Sequence, residues 1–253
     1  MELITSTKNE YIKAVRSLKQ AKCRRELCKF LAEGEKCAAE ALHYASVEAL
    51  LIPERGQQPS ELCALAERQG ARVIAVSEAV MEAVSEVKTP QGAIAVVRRQ
   101  AERPFAGQGV IAALEEVGDP TNVGAILRTA DAIGAAGVLL SAGCADPTAP
   151  RAVRASMGSV FHVPVQVAED FCGTLAQLKG EGWRLVGGHL RGQERLPQAE
   201  KSCLLIGNES RGLSAAASAL CDDLVKIRIY GQAESLNASV AAGILLYRLK
   251  EGF

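Results

Sequence analysis

Apolar and polar positions recur along this chain in two rhythms that alternate. Ile12, Val15 and Leu18 fall at helical spacing and predict a helix over Asn9–Lys19. A second helix is expected over Glu35–Tyr44, followed by a short apolar strand at Val47–Ile52. Ser60–Gln69 reads as a helix, capped by Ser60 and stopped by Gly70. A strand at Arg72–Val76, a helix at Glu78–Val87 and a strand at Ala93–Val97 complete an alternating α/β unit.

The stretch Arg98–Gly109 is polar and holds Pro104, Gly107 and Gly109, the signature of a linker. Beyond it the alternation restarts. Strands are expected at Val110–Glu115, Gly137–Ser141, Val160–Val167, Trp183–Gly187, Cys203–Ile206 and Leu224–Ile229. Helices are expected at Asn122–Ile133, Ala149–Met157, Asp170–Lys179 and Leu236–Lys250. Apolar strand runs between helices imply a mostly parallel sheet covered on both faces. The expected division is one domain at 1–100, a linker at 101–109 and a second domain at 110–253.

Composition narrows the function classes. Of 253 residues, 48% are apolar and 23% charged, as in a soluble globular protein. Net charge is zero, so any affinity for nucleic acid must come from local charge. Residues 1–30 carry eight basic side chains, among them Lys13, Lys19, Lys22, Arg24 and Arg25, against three acidic ones. Such a run is either a solvated helix face or a phosphate-attracting patch. The eight cysteines form no CxxC pair and the three histidines are far apart, so neither a metal site nor a disulfide framework is expected. No apolar run is long enough to cross a bilayer and no signal peptide is recognisable. A cytoplasmic protein with thiols in its core is the expectation.

Three blocks in the second half lie where open parallel sheets bind ligands, just after strand ends. The first, Glu115–Ala135, places Asn122 at a helix start and Arg128 six residues on. The second, Leu204–Ser214, runs a buried strand into Gly207, then Glu209 and Gly212. The third, Ile227–Tyr247, has Ser235 and Asn237 before a helix rich in small residues. Taken singly, Asn122 reads as a helix cap, Arg128 as half of a surface ion pair, Glu209 as a turn carboxylate and the third block as a capped core helix.

In this order and spacing the blocks resemble the three motifs of the SpoU/TrmH family of RNA ribose 2′-O-methyltransferases, in the SPOUT superfamily. The elements are N-x-G-x-x-x-R-T-A at Asn122–Ala130, I-G-N-E-x-x-G-L at Ile206–Leu213 and S-L-N-x-S-V-A at Ser235–Ala241. The stretch Asp146–Val165 is also similar to the family. FLAEGEK at Phe30–Lys36 and TPQG at Thr89–Gly92 resemble, more loosely, the small α/β substrate-binding domain (L30e-like) that often precedes it.

The resemblance implies a C-terminal α/β sheet tied in a trefoil knot. It implies S-adenosyl-L-methionine (SAM) as cofactor, held around Gly187, Ile206, Gly207, Ile227, Ile229 and Leu236. It further implies a homodimer and an RNA substrate, with the separate N-terminal domain favouring large-subunit rRNA over tRNA. Arg128 is implied as the catalytic residue, with Asn122, Glu209, Ser235 and Asn237 orienting it, the ribose and the loops. A guanidinium, with a pKa above ~12, is a poor base, so position and charge are the safer roles for Arg128. Lys13, Lys19, Lys22, Arg24, Arg25, Arg151 and Arg154 are candidates to grip RNA. Two positions depart from the family pattern: Ser210 replaces a usual glycine and Arg228 a usual proline. A non-catalytic RNA-binding module would show broken motifs, and a dinucleotide oxidoreductase would need a G-x-G-x-x-G turn that the chain lacks.

Overall fold

The computed structural model describes residues 2–55, 60–87, 89–90 and 92–252. The chain forms two compact units, Met1–Ala101 with Asp146–Phe161, and Glu102–Ala145 with His162–Phe253. In the first unit the order is β1 (Glu2–Ile4), α1 (Glu10–Ser17), α2 (Ala21–Leu27), β2 (Lys29–Glu33), α3 (Glu35–Tyr44), β3 (Val47–Pro53), α4 (Ser60–Arg68), β4 (Arg72–Val76), α5 (Glu78–Val84) and β5 (Ile94–Arg98). Its sheet runs β1-β4-β3-β5-β2, with β1, β3 and β4 parallel and β5 antiparallel to both neighbours.

Period-two alternation buries both faces of this sheet. Leu31, Ala49, Leu51, Ile74 and Val76 meet Ile12 and Val15 of α1, its C-cap Leu18, and Val80 and Val84 of α5. Their neighbours Phe30, Ala32, Leu50, Ile52, Val73 and Ala75 face Ala38, Ala41 and Leu42 of α3. Val153 and Phe161, from a segment far along the chain, join that second face, and Phe161 stacks on Phe30 at 6.0 Å. That segment contributes α7 (Pro150–Ser156) and a 3-10 turn at Ser159–Phe161.

An ion pair also holds the segment. The guanidinium of Arg24, 4% exposed, donates to Asp146 from Nε at 2.9 Å and Nη2 at 2.8 Å, and from Nη1 to the carbonyls of Leu18 and Lys19. Asp146 also accepts from the N–H and hydroxyl of Thr148. Burial pushes the Asp146 carboxyl up, but the Thr148 hydroxyl and Arg24 outweigh it and hold the pKa below the ordinary value.

The second unit contains β6 (Gly109–Leu114), α6 (Pro120–Ala132), β7 (Gly137–Ser141), β8 (Val165–Ala168), α8 (Phe171–Gly180), β9 (Arg184–Gln193), β10 (Lys201–Ile206), α9 (Ala215–Leu220), β11 (Asp223–Val225) and α10 (Ala238–Glu251). All pairings in its six-stranded sheet, β11-β9-β10-β6-β7-β8, are parallel. One face packs Leu175, Leu178 and Ala217 of α8 and α9. The other is covered by α6 and α10, which also pack on each other. The polar stretch before β6 is fastened to this unit: Glu102 accepts from the N–H of Val167, and Arg103 donates to the carbonyl of His162.

Several expected elements differ. Val160–Val167 is a 3-10 turn followed by the short strand β8. Leu224–Ile229 pairs only as far as Val225, because the register against β9 jumps from Gly187 to Gln193 between Leu224 and Val225. Val225, Ile227 and Ile229 keep the alternation of a strand, but beyond Val225 there is no paired partner strand. β1, α2, β2 and α9 were not expected. Part of the TPQG stretch, Gln91, lies outside the described residues.

Removing one partner of a buried ion pair strands the other's charge. Arg24→Ala is therefore expected to destabilise the protein by about 3 kcal/mol in urea unfolding followed by circular dichroism. Asp146 has a depressed folded pKa, so the stability it contributes is complete above its unfolded value of about 3.9 and is lost as pH falls through the folded one. Asp146→Asn is expected to weaken that acid dependence.

Candidate active site

The order of the second sheet reverses between β6 and β10. β7 and β8 extend it to one side, and β9 and β11 to the other. Ile206 pairs with Leu114 at this switch point, so the loops leaving β6 and β10 emerge side by side. Open α/β sheets bind ligands at this position.

The three sequence blocks meet here through side chains. Asn122 is 6% exposed, and its Nδ2 donates to Oε1 of Glu209 at 2.9 Å. Nδ2 of Asn237 donates to Oδ1 of Asn122 at 3.0 Å. Oδ1 of Asn237 accepts from Ser239 and Val240 N–H and so caps α10. The direction of this relay follows from chemistry. An ionised carboxylate can only accept, so Asn122 must turn its amide NH2 toward Glu209. That leaves its oxygen for Asn237, which must donate and turn its own oxygen to the helix.

Glu209 is held as an anion. Partial burial raises its carboxyl pKa, but the Asn122 amide and the backbone N–H groups of Glu209, Gly118 and Asp119 outweigh this and lower it. A carboxylate so stabilised is a weak proton acceptor at neutral pH, which fits it for orientation rather than general-base work.

The flanking turns are built to hold these positions. Asn208 accepts from the N–H groups of Ser210 and Arg211 and donates to the Glu116 carbonyl at 2.8 Å. Glu116 has a left-handed backbone (φ +53). Its N–H donates to the Ser141 hydroxyl at 2.9 Å and its carboxylate pairs with Arg211. A left-handed residue other than glycine is disfavoured by roughly 1 kcal/mol, and these bonds hold it there. Neither Asn208, present only as a letter of the second motif, nor Glu116 was given a role of its own from sequence. An asparagine inside the glycine-bounded run from Gly207 to Gly212 is a turn signal that could have found the first.

The structure places the remaining expected residues as follows. Asn122 is not a cap, since α6 starts at Pro120 with Asp119 as N-cap. Arg128 is exposed on α6 and makes no hydrogen bond or ion pair among the described residues. Ser235 is exposed in the loop before α10. Ile206 and Gly187 are buried at the sheet, Ile227 and Ile229 are half-buried, and Leu236 is 36% exposed. What comes close to Gly207 is the chain itself: a Cβ there would collide with the backbone of Gly212 and Leu213. At Gly187 it would meet Leu224, Cys221 and Leu213 at 2.8 to 3.1 Å. Ser210 carries no positive φ, so serine is unstrained in place of glycine. Arg228 stacks on Tyr230 at 5.1 Å and faces Glu194 at 3.9 Å. Among the cations expected to grip RNA, Lys13, Arg25 and Arg151 are exposed, and Lys22 is exposed beside Glu26. Arg24 is instead the buried structural ion pair, and Lys19 donates to the carbonyls of Ala83 and Ser85.

Comparison with known proteins fits this geometry. Residues 109–247, which span all three blocks, match the model of the SpoU rRNA methylase family. The chain belongs to that family. Residues 9–95 match the MRM3-like substrate-binding domain. The chain is 36% identical over 254 aligned positions to 23S rRNA (guanosine(2553)-2'-O)-methyltransferase RlmP of Bacillus subtilis, covering 99% of this chain and 100% of that one. An rRNA methyltransferase from Sinorhizobium meliloti with bound AdoMet superposes with a TM-score of 0.87 at 32% identity, covering 100% and 98% of the two chains. The AdoMet complex of AviRb from Streptomyces viridochromogenes gives 0.86 at 27%, covering 97% and 98%.

As a SpoU methylase the chain is a SAM-dependent RNA methyltransferase. The segment after β11 suits that cofactor. Backbone groups from Ile227 to Leu236 make no hydrogen bond among the described residues, beside the aliphatic side chains of Ile227, Ile229 and Leu236. Free main-chain donors and acceptors with apolar flanks match the polar edge and flat face of adenine.

Asn122→Ala removes the donor that faces Glu209 and the acceptor that receives Asn237. The Glu209 pKa is expected to rise toward the ordinary carboxylate value in a carboxyl-carbon NMR titration, with about 2 kcal/mol lost in stability.

Proposed function

We propose that the chain transfers a methyl group to a ribose 2′-hydroxyl of large-subunit ribosomal RNA, in the cytoplasm. The observation that carries this reading is the Glu209–Asn122–Asn237 relay, which joins the three motifs intact at the switch point. The full-length match to a 23S rRNA methyltransferase, substrate-binding domain included, supports rRNA over tRNA.

SAM supplies an electrophilic methyl group on a sulfonium. The protein must bring the hydroxyl oxygen into line and manage the charge that develops on it. Arg128 is the group for that task. Its exposed guanidinium has no internal partner among the described residues and can take an RNA phosphate or the developing oxyanion by charge-assisted hydrogen bonds. Asn122, Glu209 and Asn237 fix the loops around it, and Ser235 orients the ribose. Gly187, Ile206, Gly207, Ile227, Ile229 and Leu236 frame the cofactor, in a segment threaded as a trefoil knot. Residues 1–100, together with the segment Asp146–Phe161 that packs in the same unit, act as the RNA-binding domain, residues 101–109 as its connection and the rest of residues 110–253 as the catalytic domain. Lys13, Lys22, Arg25, Arg151 and Arg154 grip RNA, whereas Arg24 and Lys19 are occupied within the fold.

The working form in this reading is a homodimer. Leu236, Val240, Ile244 and Tyr247 leave an exposed apolar stripe, the last three at helical spacing along α10. Ile244→Asp is expected to convert a dimer to a monomer in light scattering; an unchanged dimer would place the interface elsewhere.

Purified protein incubated with tritiated SAM and size-fractionated RNA is expected to label 23S rRNA as alkali-resistant 2′-O-methyl nucleotide. Arg128→Ala is expected to lower that rate by roughly 100-fold or more, with SAM affinity retained. Absence of both label and SAM binding would overturn the reading in favour of a non-catalytic RNA-binding module.

A further inference from the structure

The first unit holds a cavity of about 470 Å³, lined in part by Gly34, Glu35, Lys36, Cys37, Arg154 and Met157. Its volume is that of a small-molecule site. Two groups of donors in its wall lack acceptors. Nη1 of Arg154 is buried with no hydrogen-bond partner. The N–H groups of Glu35, Lys36 and Cys37 open α3 without a side-chain cap or any other acceptor among the described residues. A buried donor without an acceptor is rare, so Nη1 of Arg154 calls for one, and the α3 N–H groups, on exposed Glu35 and Lys36 and buried Cys37, stand open beside it.

The rest of the wall says what carries the acceptor. A lone phosphate would satisfy these donors but leave most of the volume empty and face the Glu35 carboxylate. Glycine keeps room at that wall: Gly92 has φ +68, and a Cβ on it would meet the Glu35 side chain at 2.5 to 3.1 Å. Glu35 thus adds an acceptor to the lining, and Cys37 and Met157 add apolar surface. A nucleobase has acceptors and donors on its edge and an apolar face, so it answers all three.

We propose that this cavity receives an unpaired base of the RNA substrate. The base sets acceptor atoms against Arg154 and the α3 N–H groups, a donor against Glu35, and its ring against Cys37 and Met157. Bases stacked in a duplex cannot enter, so the domain selects a looped-out or single-stranded nucleotide. The proposal rests on the reading of the chain as an RNA methyltransferase, and it is a grip carried wholly by the first unit.

The test uses the full chain at saturating SAM, which keeps bases out of the cofactor site. Fluorescence anisotropy compares a labelled single-stranded RNA decamer with an abasic decamer of the same backbone. The base-bearing strand is expected to bind at least ~10-fold more tightly, and Arg154→Met to abolish that difference while SAM affinity is unchanged. Met157→Trp, which fills the cavity from an exposed position, is expected to do the same and decides the matter if Arg154→Met fails to bind SAM. Equal binding of the two strands by the wild type, or a difference that survives in SAM-binding variants, would overturn the proposal. Wild-type protein that binds SAM yet shows equal affinities would sink the cavity alone, whereas failure to bind SAM would sink the methyltransferase reading.

Discussion

The hydrogen bond from Asn122 to the Glu209 carboxylate orients the side chains through which the three motifs meet at the end of the second sheet. A carboxylate accepts and cannot donate, so the amide has one allowed orientation and so does the next amide along. Three stretches separated by up to 115 positions are thereby joined by two bonds. The last group in the line starts α10, whose packing on α6 closes one face of the sheet. Geometry at the site and stability of the closing helix depend on the same short chain of donors and acceptors.

That dependence explains why the polar residues here are not interchangeable. Glutamine at Glu209 would keep one acceptor oxygen where Asn122 and the Gly118 N–H use two, and aspartate at Asn122 would set two carboxylates face to face. The Arg128 guanidinium is without a partner among the described residues, as the proposed contact with RNA requires. Arg24, by contrast, is a cation fully engaged by the fold. Local charge in the first thirty residues therefore serves structure at Arg24, and in the proposed reading attraction of RNA at Lys13, Lys22 and Arg25.

Much of the architecture was legible in the sequence. Period-two and helical spacing located α3, β4 and β7 at their observed bounds, and the mostly parallel second sheet followed from its apolar strands. Bringing Asn122, Glu209 and Asn237 together depended on the joint spacing of three motifs, since each residue alone reads as a cap or a turn. Long-range pairing was hidden. Nothing local tells that Arg24 finds Asp146, or that Phe161 packs on Phe30 in the first unit. Alternation at Val225, Ile227 and Ile229 misled, because pattern reports side-chain faces and not whether a partner strand exists. Gly207, implied beside the cofactor by resemblance, is also required by the chain itself, since a Cβ there would strike the backbone of Gly212 and Leu213.

The central claim is that the three motifs act as one unit through the relay. A double-mutant cycle on methyl transfer tests it most directly, with Asn122→Ala, Glu209→Ala and the double variant compared by kcat/KM. If the relay is one device, either change breaks it, and the double variant loses little more than the worse single one. Losses that multiply would show two independent contributions and contradict the account.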